Sequence, residues 1–130
     1  IVFGTPVYWY GPTALMKGFI DRFVYFNCPE NRAKIRGKAA ALVVPFEETN
    51  PETVAPVEAF FEKSLAYLEL ELSARLIAPG VTRKGEVADN PKLMERALAL
   101  GKALAGREGS WAAMQRCQAP FALADGTSVV

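Results

Sequence analysis

"IVFGTPVYWYGPTALMKGFIDRF", residues 1–23, decides how the rest of the chain is read. Ile1 to Phe3 predicts a buried strand end, stopped by Gly4 and the Thr5-Pro6 pair. Three aromatics then stand side by side at Tyr8, Trp9 and Tyr10, in what is expected to be a loop. Gly11-Pro12-Thr13 is helix-start chemistry, with Thr13 as the N-cap. Leu15, Phe19, Phe23 and Phe26 follow at three- or four-residue steps and predict the buried face of an amphipathic helix. Lys17 and Asp21, four apart, face away from it. The helix is expected to end near Asn27-Cys28-Pro29.

Beyond this stretch, Arg32 to Lys38 reads as a basic connector. "AAALVVP", Ala39 to Pro45, is a continuous apolar run bounded by turn signals, which suits a parallel strand covered on both faces. Asn50-Pro51 supplies a cap and first position for the next helix, with Pro56 delaying the regular part by a turn. Its stripe is Val57, Phe60, Phe61, Leu65 and Leu68. A third strand is expected between Leu70 and Ala78, ended by Pro79-Gly80. Asn90-Pro91 repeats the cap-plus-proline device ahead of a helix carrying Leu93, Ala97, Leu100 and Leu104. From Gly106 to Val130 the period is lost; the segment is read as a tail, irregular or with a short helix near Trp111 to Arg116.

The order β-α-β-α-β-α predicts a parallel sheet with helices on both faces. In such sheets ligands bind at the edge where the strands' carboxyl ends emerge. Three loops lie there: Gly4 to Pro12, Phe46 to Asn50 and Pro79 to Asp89.

Composition narrows the chemistry. The 130 residues are enough for one domain with a real core, 51% being apolar and 22% charged. A formal net charge of +1 favours neither nucleic acid nor an anionic membrane as partner. No apolar stretch approaches the roughly 20 residues of a membrane span. The chain contains no His, which removes any Ser/His/Asp or Cys/His relay and any imidazole-bound zinc within it. Two cysteines, Cys28 and Cys117, make no disulfide framework, so reduced thiols and a cytoplasmic location are expected. No side chain is singled out as catalytic and no metal ligand set is present; chemistry on this chain calls for a cofactor.

The aromatic loop admits two readings. Gly4, Pro6, Gly11 and Pro12 make it stiff, and Tyr8, Trp9 and Tyr10 give it flat surfaces, which fits a planar heterocycle read at its rim by main-chain groups. An isoalloxazine is such a molecule. Equally, aromatics after a strand plug cores or form subunit contacts.

"GTPVYWYGPTALMKGFIDR" resembles the third-strand segment of the NAD(P)H-dependent FMN reductase and multimeric flavodoxin families. There a Ser/Thr-Pro-Val-Tyr turn, here Thr5 to Tyr8, precedes a helix ending in Lys-x-x-x-Asp-Arg, here Lys17, Asp21 and Arg22. "GKAAALVV" and "KGEVADNPKLMERALALGKALA" are similar in character, so the resemblance spans roughly residues 1 to 105. It implies a three-layer, flavodoxin-like, doubly wound parallel sheet. Residues 1–105 are then the C-terminal part of that domain and 106–130 a tail. It also implies FMN as cofactor with NAD(P)H as electron donor. The cofactor-binding residues implied are Thr5, Pro6, Val7, Tyr8, Trp9, Tyr10, Gly11 and Thr13 in the first loop and helix start, with Phe46 and Glu47 in the second. A homodimer or homotetramer with the flavin near a subunit contact is implied as well.

The family begins with a strand and a Ser/Thr/Arg-rich phosphate loop that this sequence does not show. The expectation is therefore that the last three βα units are present and the first two strands are not, Ile1 lying within the third. The leading function is an FMN-dependent NAD(P)H oxidoreductase that reduces a quinone, a flavin or a small electron-poor acceptor. A flavodoxin-type electron carrier and a flavin-less structural or interaction module are the alternatives. Cys28 is either a redox thiol or, more in keeping with its isolation, a buried structural one; Arg83 and Lys84 either meet a nicotinamide phosphate or are solvated. Glu47 and Glu48 either touch the flavin rim or answer the dipole of the next helix.

Overall fold

The computed structural model describes residues 1–106; the short helix expected near Trp111 and Cys117 both lie outside them. Three parallel strands, β1 (Val2–Gly4), β4 (Ala39–Pro45) and β5 (Glu71–Ala78), form one sheet in the order β1-β4-β5. A two-stranded ladder, β2 (Val7–Tyr8) against β3 (Gly11–Pro12), follows β1. The helices are α1 (Ala14–Asp21), the one-turn α2 (Pro29–Arg32), α3 (Ala55–Tyr67) and α4 (Pro91–Ala105).

The sheet separates two apolar clusters, and that separation makes the fold three-layered. Phe3, Ala40, Leu42 and Val44 point to one side, where they meet Ile20 of α1 and Val57, Phe61 and Leu65 of α3. Ala41, Ala74 and Leu76 point to the other, under Leu100 of α4. Phe61 is fully buried, its ring 5.4 Å from that of Phe3. Burial of this kind stabilises by about 1.5–3 kcal/mol per large side chain. The parallel sheet with helices on both faces, expected from the alternation, is observed, and it agrees with the flavodoxin-like fold that the resemblance implies.

Both Asn-Pro pairs cap as expected. Asn50 Oδ1 accepts from the Glu52 amide at 3.0 Å, and Asn90 Oδ1 accepts from the Leu93 amide at 3.2 Å. A 3-10 turn over Pro51–Thr53 precedes α3, which places Pro56 in the helix's first turn.

Two features depart from the sequence reading. In α1 the buried face is Met16 and Ile20, continued by Phe23 and Phe26 in the turn beyond it; of the expected stripe Phe23 and Phe26 pack on the core, and Leu15 and Phe19 do not. Leu15 is 88% exposed and Phe19 50%. Both stripes satisfy the helical period, so the choice between them belongs to the sheet, whose Phe3 ring sits 6.2 Å from Phe23. From Arg22 to Asn27 the helix tightens to 3-10 geometry before stopping at Cys28-Pro29. Second, β5 carries a register irregularity: Ala40 faces Leu72, but Ala41 faces Ala74, leaving Ser73 as the extra residue. Its hydroxyl donates to Ala40 O at 3.0 Å. One inserted residue moves the following side chains to opposite faces. Leu72 therefore faces α3, while Ala74 and Leu76 face α4. Arg75 is left on the α3 side, ion-paired to Glu62 and, at 3.4 Å, to Glu58. Burial raises the Glu58 pKa against the pull of Arg75.

Candidate functional site

The site is built on the carboxyl ends of the strands. Thr5 ends β1 with its amide on Val43 O at 3.1 Å, so the first loop rises beside β4. The expected aromatic loop is a hairpin: Val7 pairs with Pro12 and Tyr8 with Gly11, leaving Trp9 and Tyr10 as a two-residue tip. Both tip residues are left-handed, at φ +51° and +61°. A type I′ hairpin turn demands positive φ at both centres and normally takes Asn-Gly there. Two bulky aromatics in that conformation are a true backbone outlier, and such outliers concentrate where a ligand is held.

The tip faces outward. Trp9 is 97% exposed, Tyr8 64% and Tyr10 61%. The hairpin's inner side is anchored by Val7, packed on the core. Gly11, Pro12 and Thr13 are half-buried, and Thr13 caps α1 by accepting from the Met16 amide at 3.1 Å. Thr5 is buried and spends its hydroxyl inside the protein, on Pro6 O and the Thr13 amide.

The second and third loops are zipped together at the same edge. Phe46 N donates to Ala78 O at 3.0 Å, Val81 N to Phe46 O at 2.9 Å and Gly80 N to Glu48 O at 3.2 Å. Phe46 carries its ring into the core and offers only main chain to this edge, whereas Glu47 and Glu48 are exposed. In the third loop, Glu86 accepts from the Thr82 amide at 2.7 Å, the Thr82 hydroxyl at 3.0 Å and the Arg83 amide at 2.9 Å. Those bonds hold its pKa below the ordinary 4.5. Arg83 and Lys84 are presented to solvent at that loop's turn.

Elsewhere, a groove of about 370 Å³ opens between the ends of α1 and α3, over Ile20, Phe23 and Leu68. It lies by the helix C-termini, away from the strand ends that carry the three loops. Cys28 is exposed rather than buried, because it stands at the turn between the end of the first helical segment and α2, 3.1 Å from Asn31 Nδ2. Among the described residues there is no cluster able to hold a metal ion, and no helix is long and apolar enough to cross a membrane.

Residues 1–49 match the NADPH-dependent FMN reductase family. The match takes in the Thr5-to-Tyr8 turn and the Lys17, Asp21 and Arg22 helix end, the residues that carry the resemblance. It reaches to β4 and the start of the second loop, less far than the resemblance at the sequence level. Among solved structures, the Trp repressor binding protein from Bacillus subtilis is similar, with a TM-score of 0.62 and 20% identity over 74% of this chain. This chain spans 61% of the length of that structure, and the likeness establishes the flavodoxin-like fold. No curated protein matches. The residues that match the FMN reductase model include the whole of the hairpin.

The tip's conformation is the feature sequence reasoning missed. Nothing in Tyr-Trp-Tyr-Gly announces left-handed backbone, because the residues that normally signal it, Gly and Asn, are not at the two central positions.

Proposed function

We propose that this chain belongs to an FMN-dependent oxidoreductase that takes electrons from NAD(P)H and passes them to a quinone, another flavin or a small electron-poor acceptor. The observation that carries the proposal is the left-handed, solvent-facing Trp9-Tyr10 tip on the segment that matches the FMN reductase model, at the carboxyl end of a parallel strand. Flat exposed aromatics on a rigid hairpin suit stacking against a tricyclic ring. The residues assigned to the flavin are Tyr8, Trp9, Tyr10 and Gly11, with Pro6, Val7 and Thr13 shaping the hairpin and Glu47 at the neighbouring loop. Phe46 serves from the core, through its main chain, and Thr5 from beneath. The chemistry supplied by FMN when bound is acceptance of a hydride from the nicotinamide and passage of electrons onward. This chain's residues then position the ring and exclude water from one face; none is assigned a proton-transfer role. Among the described residues no Ser/Thr/Arg-rich turn stands at a helix start to take the phosphate, so the share of the cofactor assigned here is the ring.

A homodimer or homotetramer is part of the same proposal. Leu15 and Phe19, turned outward on α1, and the aromatic tip supply apolar surface for a second copy.

FMN titration of the full-length protein, followed by quenching of flavin fluorescence, tests the reading. NADPH oxidation with added FMN and a quinone then separates an enzyme from an electron carrier. Saturable quenching together with turnover supports the proposal. Binding without turnover leaves the carrier, and no binding defeats the flavin assignment.

A further inference from the structure

The amide of a helix N-cap residue points out of the helix and needs a partner of its own. A capping box supplies one from Glu or Gln three residues on. Here that position is Met16, packed against the core. The Thr13 amide is instead taken at 3.1 Å by Thr5 Oγ1, eight residues earlier and across the hairpin. The same hydroxyl donates to Pro6 O at 3.0 Å, and the Thr5 amide is tied to Val43 O at 3.1 Å. With 2% of its surface exposed, Thr5 has no face left for a ligand. One buried side chain thus joins the sheet, the base of the hairpin and the start of α1.

We infer that Thr5 is a positioning residue: its hydroxyl sets where the aromatic hairpin stands against α1 and the sheet. Its effect on flavin rests on the function proposed above; its effect on the hairpin does not. A part-buried amide that loses its acceptor is left unsatisfied at a cost beyond the bond itself, and the hairpin has no other polar tie to the helix cap among the bonds described.

The test compares Thr5→Val, which keeps the shape and removes the hydroxyl, with Thr5→Ser, which keeps the hydroxyl. Amide hydrogen exchange is read in flavin-free, full-length protein at Thr13 and Gly11, with Leu42 and Val44 of β4 as the core reference. In Thr5→Val, exchange at Thr13 and Gly11 should quicken about tenfold or more, with Leu42 and Val44 unchanged. The FMN dissociation constant should rise by a similar factor, roughly tenfold. Thr5→Ser should return both readouts close to those of the unsubstituted protein. Three results overturn the inference: unchanged exchange in Thr5→Val, a parallel rise in the β4 amides, or Thr5→Ser behaving like Thr5→Val. If the unsubstituted protein fails to bind FMN, the flavin reading falls, and the exchange comparison still decides the role of Thr5.

Discussion

Trp9 and Tyr10 hold backbone angles that cost a non-glycine residue about 1–2 kcal/mol each. Their side chains are mostly in water, so packing within the chain offsets little of that cost. Residues kept at such a cost without local compensation point to a binding role. Replacing the pair with the turn's preferred residues, Trp9→Asn with Tyr10→Gly, should therefore stabilise the protein by about 1–3 kcal/mol in denaturant unfolding. The same change should weaken FMN binding roughly tenfold, through loss of two stacking faces. A stabilised variant with undiminished flavin affinity would falsify the ligand role of the tip. Glu69 offers a contrast at φ +60°. It closes α3, with its own amide on Ala66 O and the Leu70 amide on Leu65 O, a Schellman arrangement in which glycine is usual. There the residue closes the helix's last carbonyls and also pairs with Arg36 at 2.8 Å and Arg32 at 3.4 Å, so its conformation has a local structural role. No comparable role is described at the hairpin tip.

Among the elements, the loop Val81–Asn90 owes its shape to one carboxylate. Glu86 accepts three bonds from Thr82 and Arg83, and its pKa is lowered by them. The sign follows: the folded state favours the ionised form, so this stabilisation is present above 4.5 and is lost as pH falls through the lower folded value. Amide exchange at Thr82 and Arg83 should accelerate as the solution is acidified below 4.5. Glu86→Gln should remove that dependence, and an acid response that survives the substitution would count against the clasp. Much at this scale was legible beforehand. The Asn50-Pro51 and Asn90-Pro91 starts and the stripes of α3 and α4 lie where local spacing put them, because caps and helical periods are short-range properties. The bulge at Ser73 was not, since "LELSARLIA" alternates acceptably in either register and only pairing with Ala40 and Ala41 reveals the extra residue.

The whole molecule presents apolar surface on one side of α1. Leu15 and Phe19, one turn apart, are exposed, and the paired Lys17 and Asp21 lie on a different face of the helix. Double substitution Leu15→Lys with Phe19→Lys should shift light scattering toward smaller species while leaving circular dichroism unchanged. An unaltered distribution would remove α1 from any subunit contact. Charge on that face costs the monomer little, because neither side chain belongs to the buried core.

Sequence alone determined the alternation of strands and helices, the helix starts, and the likeness of the first segment to a known family model, since each is encoded in residues a few positions apart. Tertiary structure decided which of two equally periodic stripes of α1 is buried, that Phe46 turns inward, and that Trp9 and Tyr10 adopt left-handed backbone. Those outcomes depend on contacts between distant segments, where the energy of the packed whole overrides local preference.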